Sequence, residues 1–164
     1  MTKIENEIVE AVKNNKGNVK IFWDMDGTCA SMEMHNLEKK LEPGFFYKKR
    51  PIKAMLKIME KFYKLGAKTY ILSFCGFNYQ VEDKIKWCKE NCPFIKYEDI
   101  IIIPRKESNV KPAESKIYLK AEYMKEYVTK EDIVYFIDDN EYVLLGTKER
   151  LPFINIVSPM DFIV

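Results

Sequence analysis

Residues 22–30 read "FWDMDGTCA", and this stretch decides where the fold begins and where its chemistry can lie. Bulky apolar residues lead into two carboxylates, Asp24 and Asp26, which are followed at once by Gly27 and Thr28. Aspartate and glycine are also common in turns, where the aspartate side chain bonds to its own backbone. Taken alone, the stretch therefore fits either a catalytic centre or a polar turn that ends a buried strand.

The rest of the chain alternates short apolar runs with longer amphipathic ones. The short runs are rich in β-branched and aromatic residues, as in strands covered on both faces, and lie at 19–23, 68–74, 99–104, 132–138 and 153–157. Helical patterns lie at 51–65, 78–91 and 112–127. This alternation predicts an α/β fold, with a three-layer, Rossmann-like parallel sheet of about five strands and helices on both faces.

The length of 164 residues suits a single domain, 1–164, with a sizeable core. Only the segment 29–49, "CASMEMHNLEKKLEPGFFYKK", fits neither the strand nor the helix pattern. Because it follows the acidic stretch directly and is long for a turn, it predicts a small cap or lid after the first strand.

Charge and hydropathy exclude several classes of function. The formal net charge is +2 and the lysines are dispersed among glutamates, so a nucleic-acid partner is not expected. No apolar stretch is long enough to span a membrane, and the N-terminus is polar rather than signal-like, which predicts a cytoplasmic protein. The sequence does not indicate an oligomeric state.

The four cysteines, in the absence of a secretion signal, are expected to be free thiols. Cys88 and Cys92 have helical i, i+4 spacing and could form half of a metal site. His35 is the only histidine, so a complete set of zinc ligands is not expected.

Polar side chains follow four of the predicted strands. In chain order they are Asp24 and Asp26, then Ser73, then Lys106 and Lys111, then Asp138 and Asp139. Ligands of an open parallel sheet bind beyond the carboxyl ends of its strands, so these groups are expected at one edge. Clustered carboxylates repel unless a cation neutralises them, and oxygen ligands favour Mg²⁺. Since Mg²⁺ recruits phosphate oxygens, the expected substrate is a phosphate ester.

Each of these residues also has a purely structural interpretation. Ser73 could cap a strand, residues 138–140 could begin a helix as an N-cap, and Lys111 could be an ordinary solvated lysine. The joint order favours the functional interpretation, because every polar group falls at the same end of its own strand.

With these motifs in this order, the sequence resembles the haloacid dehalogenase-like superfamily over about residues 18–140. "DMDGT" after a strand, Ser73 closing the second strand, "KP" at 111–112 and "IDD" at 137–139 match its four motifs. A second aspartate in the first motif marks the phosphatases and phosphotransferases of that superfamily. The resemblance therefore implies an enzyme, a phosphoric monoester hydrolase.

The resemblance also implies a role for each matching residue. Asp24 would attack phosphorus and carry the covalent intermediate, while Asp26 would protonate the leaving alcohol and later take a proton from water. Thr28 and the amides around Gly27 would support the phosphoryl oxygens, with Ser73 binding one of them. The implied Mg²⁺ ligands are Asp24, Asp26 through its carbonyl oxygen, and Asp138, with Asp139 in an outer position or steadying the lysine.

A closer likeness is to the 5'(3')-deoxyribonucleotidase branch, on the strings "DMDG", "PGFF" and "IIIIPRK" ahead of "FIDDN". In that branch the phosphate-binding lysine follows the third strand directly, which selects Lys106. The wider superfamily pattern, with "KP" opening a helix, selects Lys111, and we favour Lys111. The segment after the first motif is shorter here than the cap of that branch.

Phe45 and Phe46 could stack on a nucleobase at the mouth of the site, or they could pack in the core of the cap. The favoured function is hydrolysis of a small phosphorylated metabolite such as a nucleoside or deoxynucleoside monophosphate. The alternatives are a phosphatase of a larger substrate, such as a polynucleotide end or phosphoprotein, and a non-catalytic phosphate- or Mg²⁺-binding module. The presence of both Asp24 and Asp26 argues against the non-catalytic module.

Overall fold

Five parallel strands form the centre of the molecule in a computed structural model, which describes residues 1–32, 42–104 and 116–163. The strands are β1 (Val19–Trp23), β2 (Lys68–Phe74), β3 (Ile100–Ile103), β4 (Ile133–Ile137) and β5 (Asn155–Val157). Their order across the sheet is β3-β2-β1-β4-β5, so β1 lies in the middle with β2 and β4 as its neighbours. The predicted parallel α/β sheet is confirmed, with strand ends within two residues of those expected.

The described α-helices are α1 (Lys3–Asn14), α2 (Lys53–Leu65), α3 (Gln80–Asn91), α4 (Lys116–Met124) and α5 (Glu141–Arg150). Short 3₁₀ helices span Tyr97–Asp99 and Pro159–Phe162. Helix α5 was foreseen only as one interpretation of residues 138–140. That interpretation is correct for Asn140, whose side chain accepts hydrogen bonds from the amides of Tyr142 and Val143 as an N-cap. None of the described helices has the length and apolar composition that crossing a membrane requires.

Two hydrophobic layers enclose the sheet, because successive side chains of a strand point to opposite faces. Ile21 and Trp23 of β1 pack with α1, α2 and α3 on one face, whereas Phe22 packs with α4 and α5 on the other. All three side chains are fully buried. The near-continuous apolar strands of the sequence are explained by this burial on both faces.

The segment predicted as a cap divides into parts. Cys29 and Ala30 are fully buried and belong to the turn after β1 rather than to a cap. Residues 33–41 lie outside the described part of the chain. Residues 42–49 pack against α3, where the Gly44 amide donates to Asp83 over 2.8 Å. The cap itself remains a prediction.

An ion pair between β1 and the segment before β4 holds that segment in place. Lys20 of β1 donates to Asp132 over 2.8 Å and to the Tyr127 carbonyl over 2.7 Å. Asp132 also accepts the Thr129 amide at 2.7 Å. Burial by itself would raise the pKa of Asp132, but the hydrogen bonds from Lys20 and Thr129 outweigh it and lower the pKa. The folded state therefore favours the charged form of Asp132.

Replacing Asp132 with asparagine is expected to lower the free energy of unfolding by about 1 kcal/mol at pH 7. A carboxyl whose pKa is lowered by folding stabilises above its unfolded-state pKa, about 4, and loses that contribution as the pH falls. The difference between wild type and Asp132→Asn should therefore shrink below about pH 4. Urea unfolding across this pH range measures it.

Glu122→Gln is the matched control, because Glu122 pairs with Lys125 at an exposed site. Its effect should be no more than a few tenths of a kcal/mol, about the value of an exposed ion pair. A penalty for Asp132→Asn that is independent of pH would contradict the assignment of a charged Asp132.

Candidate active site

The carboxyl ends of β1, β2 and β4 meet at one edge of the sheet, where a cleft of about 210 Å³ opens. Asp24 follows β1, Ser73 is the second-last residue of β2, and Asp138 follows β4. The described residues that line the cleft are Asp24, Asp26, Met32, Ser73, Phe74, Lys120, Asp138, Asp139, Asn140 and Val143. The sheet order thus brings together the acidic pairs and the serine that the sequence placed at separate strand ends.

Lys120 of α4 joins the two acidic strand ends. Its ammonium donates to Asp24 Oδ1 over 2.6 Å and to Asp138 Oδ2 over 2.7 Å. All three side chains are almost completely buried. The ammonium also lies 5.0 Å from the ring centroid of Phe74. Because a buried charge is costly unless it is paired, this triad holds α4 against the catalytic edge.

The burial of this triad changes the proton affinity of its members. Burial raises the pKa of Asp24 to about 6, with the Asp138 charge adding to the effect and Lys120 opposing it. Burial by itself would lower the pKa of Lys120, but Asp24 and Asp138 outweigh it and raise that pKa. Lys120 therefore remains a cation, and its charge keeps Asp24 from an even higher pKa.

Asp26 has a different environment, although it lies only two residues from Asp24. One carboxylate oxygen accepts a hydrogen bond from Lys49, and the other accepts from Lys84 over 2.9 Å. Burial by itself would raise the pKa of Asp26, but Lys84 and Lys49 together lower it. Asp26 is therefore held as an anion between two ammonium groups.

Lys84 connects Asp26 to Ser73. Its ammonium donates to Ser73 Oγ over 2.8 Å and also to the Phe74 carbonyl. An ammonium has no acceptor, so the hydroxyl hydrogen of Ser73 must point to another group. Since Ser73 lines the cleft, its hydroxyl can donate to an oxygen of a bound anion.

Gly27 allows the loop after β1, which carries Asp24 and Asp26, to lie against Asp139 after β4. Its φ is +79°, and a Cβ at this position would lie 2.2 Å from Asp139 Oδ2. Any side chain here would therefore clash with Asp139 in addition to straining the backbone. Burial and the nearby Asp24 raise the pKa of Asp139.

The amides of this turn are used within the turn itself. The Gly27 amide donates to the Ala30 carbonyl over 2.8 Å, and the Thr28 amide donates to the Met25 carbonyl over 3.2 Å. Thr28 is fully buried, and its hydroxyl has no hydrogen-bond partner among the described residues. Gly27 and Thr28 therefore shape the loop, and the amides of these two residues bond within it.

Three carboxylates could hold a cation. Oxygens of Asp24, Asp138 and Asp139 lie within 4.8 Å of one another. This hard, oxygen-only donor set fits Mg²⁺ better than zinc. The side chain of Asp26 is outside the trio because both of its oxygens are paired with lysines. Asp139, for which the resemblance implied an outer position, has a carboxylate oxygen within this group.

Several predicted site residues are not at the cleft or cannot be placed. Lys106 and Lys111 both lie outside the described residues, and among the described residues the lysine that contacts Asp24 is Lys120. Phe46 is 1% exposed and packs against Trp87 with a ring-centroid distance of 6.4 Å, which favours the core-packing alternative over base stacking. Phe45 is half-buried and does not line the cleft.

Sequence reasoning missed the three lysines that organise the site, namely Lys49, Lys84 and Lys120. A signal for two of them exists in the helical pattern. Lys120 lies on the face of α4 that includes Ala121 and Met124, and Lys84 shares the buried face of α3 with Trp87. A lysine at a core position of an amphipathic helix is rarely buried unless it is paired, so it marks a buried carboxylate.

Comparison with known proteins agrees with this geometry. The model of the family described as "5' nucleotidase, deoxy (Pyrimidine), cytosolic type C protein" matches residues 39–112, just under half of the chain. This stretch contains Ser73 and Lys84 but neither acidic pair, so the match and the carboxylate geometry are independent observations. The match supports the resemblance and the enzyme class predicted from the sequence.

Two solved structures have the same fold as this chain. They are chains of the "Structure of Pnkp1/Rnl/Hen1 complex", with a TM-score of 0.65, and the "Structure of the Pnkp1/Rnl/Hen1 RNA repair complex", with a TM-score of 0.62. Each is 15% identical and covers 86% of this chain. The chain spans less than half of their length, 45% and 42% respectively. No curated protein matches the sequence.

Gly27→Ala is expected to impair both stability and activity. A non-glycine residue at positive φ costs about 1–2 kcal/mol, and the clash must also displace Asp139. Gly17→Ala is the matched control, because Gly17 has a φ of +86° but nothing within 4 Å of an added Cβ. Urea unfolding should show a strain penalty in both variants and a larger total penalty in Gly27→Ala, and phosphatase assays should show loss of activity only in Gly27→Ala. Full activity in Gly27→Ala would contradict the role assigned to this contact.

Proposed function

We propose that this protein is a Mg²⁺-dependent phosphomonoesterase that forms an aspartyl-phosphate on Asp24. The proposed substrate is a small ester, such as a nucleoside or deoxynucleoside monophosphate. The observation that carries the proposal is the buried Asp24–Lys120–Asp138 triad at the wall of a cleft that Ser73 also lines. The matched family, described by its name as a 5' nucleotidase of cytosolic type, supports the substrate class and a cytoplasmic location.

Asp24 is the proposed nucleophile. Lys120 occupies its Oδ1 atom, which leaves Oδ2 to attack phosphorus. The new bond joins Asp24 Oδ2 to phosphorus, and the bond from phosphorus to the alcohol oxygen breaks with its electron pair. Lys120 would offset charge that develops on the reacting oxygens.

Asp26 is the proposed acid and base. The charged state imposed by Lys84 and Lys49 suits the second half of the reaction, in which Asp26 takes a proton from the water that attacks phosphorus. A phosphate dianion in the cleft would compete with Asp26 for the hydrogen bonds of Lys84. Loss of that contact would raise the proton affinity of Asp26, which the first half of the reaction requires because Asp26 must protonate the leaving oxygen.

Ser73 and Lys84 are the proposed phosphate-binding pair. The Ser73 hydroxyl is polarised by Lys84 at 2.8 Å and would donate its hydrogen to one phosphoryl oxygen. Lys84 would contribute a positive charge beside the same oxygen. This arrangement holds phosphorus close to Asp24 without using the amides of Gly27 and Thr28.

The proposed cation site consists of Asp24, Asp138 and Asp139, together with the main-chain carbonyl of Asp26. When bound, Mg²⁺ would favour the carboxylate form of Asp24 and neutralise charge on the phosphoryl oxygens. Asp138 is positioned for this role by the Asn140 amide, which donates to its Oδ1 over 2.9 Å.

Asp24→Asn should abolish hydrolysis, because an amide cannot form the covalent intermediate. A fall of about 10³-fold or more in phosphate release is expected with a panel of small phosphate esters. EDTA should abolish the activity of the wild type, and added Mg²⁺ should restore it.

Asp132→Asn is the control for this change, because it makes the same substitution outside the cleft and should retain activity. Full activity in Asp24→Asn would refute the covalent mechanism, and activity in EDTA would refute the metal requirement. Faster release from a 5'-phosphorylated oligonucleotide than from nucleoside monophosphates would favour the larger-substrate alternative.

Lys120→Met should lower kcat by about 10²-fold or more, because it removes the cation that contacts the nucleophile. Lys106→Met and Lys111→Met provide the comparison, since sequence reasoning favoured those two lysines. Steady-state kinetics with all three variants decide which lysine acts. A large loss in Lys111→Met combined with a small one in Lys120→Met would restore the original assignment.

A further inference from the structure

Lys49 is a buried lysine that contacts the proposed acid and base without lining the cleft. It is the last residue of the segment 42–49, its side chain is 7% exposed, and its ammonium donates to Oδ1 of Asp26. Asp26 lines the cleft, whereas Lys49 does not. An effect of Lys49 on the reaction must therefore act through Asp26.

The main chain that carries Lys49 is fixed from two sides. The Lys49 carbonyl accepts the indole N–H of Trp87 in α3 over 2.8 Å, and Trp87 is fully buried. Three residues further on, the Ile52 amide donates over 2.7 Å to the carbonyl of Cys29, in the turn after β1. The segment is thus tied to the turn that follows Asp26, so the ammonium loses little freedom when it contacts the carboxylate.

The ring of Phe46 lies against two ammonium groups that contact one carboxylate. Nζ of Lys49 lies 4.7 Å from the ring centroid, and Nζ of Lys84 lies 4.6 Å from it. The face of an aromatic ring attracts cations, most strongly where water is excluded, and Phe46 is 1% exposed. Phe46 and Asp26 together therefore offset the repulsion between the two lysines.

The two lysines contact different oxygens of Asp26. Lys49 donates to Oδ1, and Lys84 donates to Oδ2 over 2.9 Å. Lys84 also donates to Ser73 Oγ over 2.8 Å, so it is shared with the proposed phosphate-binding serine. When a phosphate dianion draws Lys84 away from Oδ2, the contact of Lys49 with Oδ1 remains. Oδ2 is then the oxygen available for proton transfer, and Lys49 fixes its direction.

We propose that Lys49 is a positioning residue, which holds Oδ1 of Asp26 so that Oδ2 faces the leaving oxygen and later the attacking water. In the first half of the reaction the bond from phosphorus to the alcohol oxygen breaks with its electron pair, and that oxygen takes the proton from Oδ2. In the second half water bonds to phosphorus, the bond to Asp24 breaks, and Oδ2 regains a proton from the water. This inference rests on the proposed function and adds a residue to it.

The alternative role for Lys49 is to neutralise a buried carboxylate and stabilise the fold alone. In that case its loss slows the reaction of every ester equally. A residue that aims the acid acts only where the leaving oxygen needs a proton, so the two roles differ in which esters they affect.

The experiment measures release of the alcohol in a single turnover with enzyme in excess, because this step reports phosphoryl transfer to Asp24 alone. Thymidine 5'-monophosphate has an alkyl leaving oxygen that needs a proton, whereas 4-nitrophenyl phosphate releases a stable anion. In Lys49→Met the rate for the thymidine ester should fall about 10²-fold, within the range for a positioned general acid. The rate for the nitrophenyl ester should fall less than about 3-fold, because its leaving group does not depend on the acid.

Lys49→Gln is the second variant. It keeps a hydrogen-bond donor one atom closer to the main chain, so it tolerates the buried carboxylate better than methionine does. It should show the same difference between the two esters, with a smaller loss. An equal loss for the two esters in either variant, or no loss for the thymidine ester, would overturn the positioning role.

Lys20→Met is the matched control. Lys20 pairs with Asp132 over 2.8 Å, is 17% exposed and does not line the cleft. The substitution therefore removes a lysine from a partly buried ion pair without touching Asp26. Both esters should react at the wild-type rate in this variant, and a selective loss for the thymidine ester here would overturn the assignment to Lys49.

Crystal structures of the wild type and Lys49→Gln test the geometry without turnover. A rotated Asp26 carboxylate in the variant supports the inference, and an unchanged one overturns it. Absence of turnover of both esters by the wild type would instead refute the proposed function, while the crystallographic comparison would still decide whether Lys49 sets the direction of Asp26.

Discussion

The contact of Lys120 with Asp24 and Asp138 is the interaction on which the catalytic edge depends. Two buried carboxylates on neighbouring strands repel each other, and the ammonium between them, at 2.6 and 2.7 Å, offsets that repulsion. Removing Lys120 would leave two uncompensated carboxylates in the interior. Because the lysine comes from α4 on one face of the sheet, a single atom ties the helix layer to the ends of β1 and β4.

The two carboxylates of the first loop differ because their surroundings differ. Asp24 is buried against Asp138, and its pKa rises to about 6, whereas Asp26 lies between Lys84 and Lys49, and its pKa falls. Separation of two such values is how neighbouring carboxyls acquire distinct roles. Here the separation leaves Asp26 charged before substrate arrives, so binding of a phosphate dianion to Lys84 becomes part of the proposed proton transfer.

Lys49, in the segment after the first acidic loop, contacts the proposed acid and base, Asp26. It is buried, it contacts Asp26, and its ammonium lies 4.7 Å from the ring centroid of Phe46. Trp87 of α3 donates to its carbonyl over 2.8 Å. Phe46 therefore packs beneath the lysine, which favours core packing over base stacking for this residue.

The sequence by itself determined the parallel sheet, the strand ends and the places of Asp24, Asp26, Ser73 and Asp138, because period, length and motif order are local properties of the chain. Only the tertiary structure decided which of the described lysines contact them. Lys84 and Lys120 are helical residues distant in sequence from the carboxylates they contact. The only sign of such a buried ion pair in the sequence is an isolated polar residue on the apolar face of a helix. The packing of helices on the sheet, rather than any motif, placed those ammonium groups within hydrogen-bonding distance of the acids.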